Sequence, residues 1–411
     1  MTTETVEQFE ARARAWAAET LPIDDPANPP HYDDDLEDWN HQRALQKLIW
    51  EGGFAGIGFP TEYGGLGLSA EYQDAFARAV EGYQYPSRLN VPSFSIVAPV
   101  ILDFGTEEQK QYYIPGVLKG EIVLSQFLSE AKGGSDLAGV ISRAERDGDT
   151  WVLNGSKIWS TAAYGSDYGI ALVRTDWDAP KHRGLSMLMV PIKDQPGFTL
   201  NRIRMVTAHS DFCEEFFEDM ILPLDALIGE ENDGWTVASR QLVYERTVGG
   251  GSSFTQGPRA RASTSPDQLT PIGLAKALGK QDDVYVQDRL GAMHTREVVH
   301  KHVTKRVSQA IAGGSVPPTA ASIIRLSHAE AIWLERDVMV DIAGGLGVAP
   351  NGASAGALTL AVEEYLMRQS GSLGGGSTEM ARNIISERVL GMPREYAADR
   401  DVAFREVKSG R

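Results

Sequence analysis

Cysteine is nearly absent from this 411-residue chain: Cys213 is the only one, which excludes an intrachain disulfide and any zinc or iron–sulfur site built on cysteines. Long apolar runs are missing too, none approaching the roughly 20 residues that a membrane-spanning helix needs. The N-terminus, MTTETVEQFEARARAW, is acidic and amphipathic and lacks a basic segment followed by an apolar stretch, so no signal peptide is expected. With a single thiol and no such leader, the expected location is the cytoplasm. Basic charge is in deficit: 56 Asp and Glu against 39 Lys and Arg leave a net charge of -17, and no basic run is interleaved with aromatics. Nucleic acid and anionic membranes are therefore poor candidates for the main partner. No internal repeat and no GxxxxGK[ST] phosphate loop is present.

What is present is a change of texture along the chain. From Glu4 to about Glu121 the pattern is helical, with Phe9, Ala13 and Trp16 at helical spacing and a long turn at Gly52 to Gly67. Between Ile122 and Leu227, short apolar or alternating runs such as IVLSQFLS, TWVLNGSKIWS and GLSMLMVPI predict a small antiparallel β domain. From Trp235 to about Gly391 helical patterns return. In 318–342, Ile323, Ile324, Ala331, Leu334, Val338 and Ile342 recur at roughly helical intervals, and an antiparallel bundle is expected. The stretch GSSFTQGPRARASTSPDQLTP interrupts that bundle. The order α, β, α without alternation indicates an α+β fold rather than a Rossmann or barrel enzyme, with domains at 1–121, 122–233 and 234–411.

Three segments can carry chemistry. In QFLSEAKGGSD, Gln126 to Asp136, a strand bearing Ser129 and followed by Gly133, Gly134 and Ser135 offers a hydroxyl and N–H groups to a planar heterocycle or a phosphate, although Gly-Gly-Ser-Asp alone reads as a turn. In WVLNGSKIWST, Asn154-Gly155 predicts a hairpin turn, which leaves Trp159 and Thr161 on one strand face. An indole beside a hydroxyl suits an isoalloxazine ring, against the plainer reading of a strand Trp as core filler. In GSLGGGSTEMARNIISERVLGMPRE, Gly374, Gly375 and Gly376 precede a helix that Ser377 or Thr378 caps, with Glu379 in its first turn and Met380, Ile384, Ile385 and Val389 on its buried face.

QFLSEAKGGSD, NGSKIWST, FFEDMILPLDALIGEENDGW, AGGLG and GGGSTEMARNIISERVLG occur in an order and at spacings that resemble the acyl-CoA dehydrogenase family. FPTEYGGLGLS and GTEEQKQYYIPGVLKGE resemble it as well, so the likeness spans nearly the whole chain. It implies an N-terminal helical domain, a central antiparallel β domain and a C-terminal four-helix bundle, with FAD between the last two and a neighbouring subunit completing its ADP end. By motif, Gln126, Leu128 and Ser129 would line the flavin ring, while Trp159, Ser160 and Thr161 would cover its other side. Gly134 and Ser135 would lie near the FAD phosphates or the pantetheine of the substrate. Asp341, Gly344 and Gly345 match the segment that reaches FAD across a subunit interface, and Ser377 matches a hydroxyl near the cofactor.

The implied reaction is α,β-dehydrogenation of an acyl-CoA to the 2-enoyl-CoA, with electrons passed on to an electron-transfer flavoprotein or similar acceptor. It needs a carboxylate for the α-proton, donors to the thioester oxygen and the flavin N5 for the β-hydride. Many relatives carry the base as a Glu just before the glycine of the C-terminal motif, where Gly375 stands here. The isovaleryl and long-chain types place it instead in a Glu-Arg pair on a C-terminal-domain helix, matched by Glu245 and Arg246 of VYERTVGG. Glu245 is thus the candidate base, Arg246 a support for the fold or the CoA moiety, and the Gly375 N–H a candidate donor to the thioester oxygen.

In GLAKALGK, Ala275 stands where many relatives carry an Arg for a neighbouring subunit's FAD pyrophosphate, with Lys276 beside it. Two assemblies follow: a homotetramer, or a mixed tetramer in which this chain is a half-site or non-catalytic partner. A flavin oxidase or monooxygenase on the same fold is a further alternative. Branched, long-chain and polycyclic, sterol-derived acyl groups all remain open, with the small residues around Gly249 to Ser253 leaving room. GASAG, Gly352 to Gly356, matches a hydrolase pattern but lacks an apolar strand before it, and His294, His300 and His302 are too unevenly spaced for a metal site.

Overall fold

The computed structural model describes residues 4–25, 30, 32, 34–248, 254–255, 257, 270–348, 355–397 and 399–407. Gly249–Ser253, most of the interrupting stretch that follows, and Gly352–Ser354 of GASAG lie outside them. The chain divides into two compact units, Met1–Met205 with Ser210–Ala260 and Ala397–Arg411, and Val206–His209 with Arg261–Tyr396.

The first unit opens with helices α1 (Val6–Thr20), α2 (Asp35–Glu51), α3 (Ala70–Ala79), α4 (Ser87–Leu89), α5 (Ala98–Phe104) and α6 (Glu107–Lys119). Thr5 and Gln8 form a reciprocal capping box that starts α1, and Thr106 and Gln109 do the same for α6. Phe9 and Ala13 of α1 are buried, while Trp16 packs its ring 5.0 Å from that of Phe54. The long turn after α2 is threaded so closely that a Cβ on Gly65 would fall 2.2 Å from the Phe59 carbonyl oxygen.

The sheet that follows contains β1 (Leu124–Phe127), β2 (Arg143–Asp147), β3 (Thr150–Thr161), β4 (Tyr168–Arg174), β5 (Leu185–Pro191), β6 (Phe198–Ile203), β7 (Phe212–Pro223) and β8 (Leu227–Ile228). Its order is β6-β7-β3-β2-β4-β5-β8, with β1 added to β4. Neighbours run antiparallel except β1–β4 and the single β2–β4 bridge at Arg143.

Asn154-Gly155 does not turn the chain. The hairpin is made at Gly148, φ 57°, and β3 runs through Asn154 as one 12-residue strand because β7 pairs along nearly all of it. Asn154 exchanges two 3.0 Å hydrogen bonds with Asp219, and Gly155, φ 138°, marks a slip in the ladder where a Cβ would lie 2.4 Å from Ser142 Oγ. The backbone freedom that favours a tight turn serves an irregular ladder equally well. Helix α7 (Gly234–Val248) belongs to this unit, as does the C-terminal segment, where Phe404 N donates to Ala179 O at 3.0 Å.

The second unit is helical: α8 (Pro271–Ala277), α9 (Val284–Ala312), α10 (Ala321–Ala343), α11 (Ala355–Met367) and α12 (Thr378–Ile384). Its core gathers Leu274, Ala275, Val286, Val338, Ile342 and Leu358. Of the stripe expected on α10 only Val338 and Ile342 are sealed, since Ile323, Ile324, Ala331 and Leu334 are partly exposed. On α12 the buried residues are Thr378 and Ala381. Met380, Ile384, Ile385 and Val389 are only half-buried, and the winding widens at Ile385–Val389. Among the described residues no helix is long and apolar enough to cross a membrane.

Candidate active site

β1 ends at Phe127, so Ser129 lies on the turn beyond the strand rather than on it. That turn is stitched to β3 by Ile158 N donating to Ser129 O at 3.0 Å. Leu128 is buried beside it, while Gly134 and Ser135 are exposed in the following loop, where a Cβ on Gly134 would come within 3.4 Å of Ser129 Oγ.

β3 slips against β7 a second time, between Ile158 and Ser160, and Trp159 is the extra residue. Its φ is 69°, it is 55% exposed, and its ring meets that of Phe212 edge-on at 5.9 Å. The bulge explains why Trp159 and Thr161 both face outward while Lys157 and Ser160 are buried; strict alternation would put Lys157 on the same face as Trp159. The Ser160 hydroxyl donates inward to Glu215 Oε2 at 3.0 Å, which leaves its backbone as the part of Ser160 on the outer side.

Beneath this wall lies a charged layer that the sequence reading passed over. Lys157 Nζ donates to Leu128 O at 3.1 Å and to Glu130 Oε1 at 2.9 Å, and Glu130 also accepts from Ile141 N and Ser142 N at 2.7 and 2.9 Å. Burial works to raise the Glu130 pKa, but the Lys157 ammonium and these donors hold it below the ordinary carboxylate value. Glu215 goes the other way: burial pushes its carboxyl up to about 8, against the pull of Ser160 and Lys157. A signal for it was present, since period-two spacing in FCEEFF puts Glu215 on the apolar face with Cys213 and Phe217.

α7 is tied to the rest of the first unit by three side chains. Gln241 Nε2 donates to Gln126 Oε1 at 2.8 Å from a fully buried position, and Arg240 Nε and Tyr244 Oη reach Asp103 Oδ2 on α5 at 2.6 and 2.8 Å. Glu245 is half-buried one turn beyond Gln241 and on the same helix face, a relation that i,i+4 spacing alone would have revealed. Arg246 is exposed near the end of α7.

The second unit presents backbone instead. α10 ends at Gly344, φ 57° and ψ -140°, and Lys280 Nζ donates to Ile342 O at 2.5 Å alongside. Among the described residues nothing lies within 4 Å of where a Cβ on Gly345 would sit, and Asp341 accepts from Arg289 Nε at 2.8 Å. Gly375 and Gly376 have φ of 70° and 98°, Arg325 donates to Gly374 O at 2.7 Å, and Ser377 caps α12 by accepting from Met380 N at 3.2 Å. Ala275 is 1% exposed in the core of this unit, whereas Lys276 faces solvent. His294 and His302 are exposed and His300 bonds Ser327 at 3.1 Å.

The first unit thus brings together an exposed indole fixed at a bulge, an outward Thr161 hydroxyl and the segment carrying Leu128 and Ser129, an apolar wall with polar groups at its edge. Comparison with known proteins gives the family. Residues 3–121 match the acyl-CoA dehydrogenase N-terminal domain, 125–220 the middle domain and 232–390 the C-terminal domain. The chain is 32% identical over 400 residues to acyl-CoA dehydrogenase IpdE1 of Mycobacterium tuberculosis, covering 95% of this chain and 98% of that protein. The Tcur3481-Tcur3483 steroid ACAD superposes with a TM-score of 0.73 at 27% identity, over 96% of this chain and 99% of that one. The ChsE4-ChsE5 complex from Mycobacterium tuberculosis gives a TM-score of 0.71 at 26% identity, with coverage of 96% and 99%.

Proposed function

The chain belongs to the acyl-CoA dehydrogenase family, and on that premise we propose that it is one subunit of a mixed tetramer that dehydrogenates a polycyclic, sterol-derived acyl-CoA. Its α+β architecture is the family's, and it is an acyl-CoA dehydrogenase-type oxidoreductase that acts on an acyl-CoA-like substrate. The observation that carries the mixed assembly is Ala275. It is sealed in an apolar core, so the arginine that many relatives offer to a neighbour's FAD pyrophosphate is missing, and Lys276 beside it is the exposed cation of this helix. Two similar solved structures named as pairs of different chains support this reading, and the steroid enzyme among them supports a polycyclic acyl group.

When bound, FAD supplies the acceptor for the β-hydride. In this chain Gln126, Leu128, Ser129, Trp159 and Thr161 would hold the ring, with Gly134 and Ser135 toward the phosphates or the pantetheine. Glu245 takes the α-proton onto a carboxylate oxygen. A base so placed is typically worth ~10²–10⁴-fold in rate. The Gly375 N–H is assigned to the thioester oxygen, where a donor stabilises developing enolate charge. Arg246, at the mouth of α7, would take the CoA moiety. Ser377 would meet the cofactor of its own site, and Asp341, Gly344 and Gly345 that of a neighbouring subunit. An electron-transfer flavoprotein or similar carrier would receive the electrons.

Expressed alone, the chain should be flavin-poor and inactive. Co-expressed with a related subunit that carries an arginine in place of Ala275, it should co-purify as a yellow tetramer with half-stoichiometric FAD and oxidise steroid side-chain acyl-CoAs. A flavin-replete homotetramer, active by itself on linear acyl-CoAs, would overturn both the mixed assembly and the substrate class.

A further inference from the structure

Trp159 has a left-handed backbone, φ 69°, which a bulky residue adopts only when its surroundings leave no alternative. What they enforce can be read from the ladder. Lys157 pairs with Glu215 and Ile158 with Glu214, after which the register slips and Ser160, not Trp159, pairs with Cys213. Without the slip, strict alternation would turn Trp159 toward the sheet interior with Lys157 and leave Ser160 outside. The bond from Ser160 Oγ to Glu215 Oε2, 3.0 Å, exists only in the slipped register.

Glu215 is an unusual residue to find there. It is fully buried among Cys213, Phe217 and the rest of the inner face, where an aliphatic side chain would cost far less desolvation. Burial raises its pKa to about 8, so at neutral pH it is chiefly a carboxylic acid, and its Oε1 has no hydrogen-bond partner among the described residues. Lys157 is committed to Glu130 and Leu128 O. A costly buried acid whose one hydrogen bond distinguishes two strand registers has the properties of a register selector.

We propose that Glu215, acting through Ser160, is a positioning residue that holds the bulged register of β3 and thereby keeps the Trp159 indole turned outward as a wall for the flavin. The outward wall rests on the cofactor reading above; the register selection does not. Glu215 touches neither the ring nor the substrate in this scheme. Its effect is exerted two residues away, through the direction of Trp159.

The test uses the purified protein, with its co-expressed partner where one is needed, labelled with 5-fluorotryptophan; the Trp159 ¹⁹F resonance is assigned by Trp159→Phe. Glu215→Val and Ser160→Ala should each shift that resonance, lower its relaxation by a soluble gadolinium chelate at least two-fold, and weaken FAD binding to the deflavinated protein by ten-fold or more. Glu215→Gln retains a neutral acceptor for Ser160 and should leave all three readouts within about two-fold of the parent. An unmoved Trp159 resonance in folded Ser160→Ala sinks the register proposal, even if Glu215→Val fails to fold. A resonance that moves with FAD affinity unchanged upholds the selector and removes Trp159 from the cofactor wall.

Discussion

The bulge of β3 and the glycine turns of the second unit expose groups at the surface in opposite ways. At the bulge, side chains do the work: Lys157, Glu130, Ser160 and Glu215 are buried and bonded to one another or to backbone, and Trp159 and Thr161 are exposed as a result. At Gly344, Gly375 and Gly376 the chain adopts φ of 57°, 70° and 98° and offers little beyond its own peptide groups. The difference bears on where a base can reside. A carboxylate must be aimed, and aiming needs a carrier anchored from several sides. α7 has that anchorage in Asp103 and Gln126, which hold Arg240, Tyr244 and Gln241 around Glu245. A glycine turn can present an N–H without such support, because the donor is part of the turn itself.

The strongest way to break this contrast is Glu245→Gln. If the base resides on α7, kcat in the assembled enzyme should fall by ~10²–10⁴-fold, with FAD content and melting temperature unchanged. Exchange of the substrate α-proton with deuterated solvent should fall in parallel. A near-normal rate would hand proton abstraction to some other group. Next in size is Lys157→Met, which tests whether the wall depends on the charged layer beneath it. Removing the ammonium leaves the buried Glu130 carboxylate with only the Ile141 and Ser142 donors, and breaking a buried pair in this way costs about 3–5 kcal/mol. Thermal unfolding should show a large loss at pH 7 that shrinks toward acid, where Glu130 takes up a proton; an unchanged melt would make the layer incidental.

The same contrast explains what could be read from the sequence. Turns and caps are decided within a few residues, so the Ser377 cap, the glycine run before α12 and the helical spacing of Phe9 and Ala13 were all legible. Asn154-Gly155 misled because its outcome depends on β7, some 60 residues later, whose pairing carries β3 straight through a dipeptide that locally prefers to turn. The inward direction of the Ser160 hydroxyl was hidden for the same reason, since the slip that buries it is a property of two strands. Trp159 and Thr161 do share a face, as their spacing suggested, but a bulge turns that face outward, away from Lys157. Glu215 and Gln241 carried signals in their spacing, yet polar side chains on apolar faces gain meaning only once their partners are known.

The smallest effect separates two adjacent glycines. Gly344, with φ 57° and ψ -140°, occupies a region that side chains avoid, so Gly344→Ala should cost about 1–3 kcal/mol whatever the space around it. A new methyl would also sit 3.7 Å from Lys280 Nζ, beside the bond that ammonium makes to Ile342 O. Gly345 needs no such freedom: its φ is not left-handed and no described residue comes within 4 Å of a Cβ there, so Gly345→Ala should change the melting temperature little. Thermal melts of the two variants, side by side, measure how far the second unit relies on backbone geometry at this turn. Equal melts would mean that AGGLG is an ordinary loop, and the contrast with the β3 bulge would then rest on Gly375 and Gly376 alone.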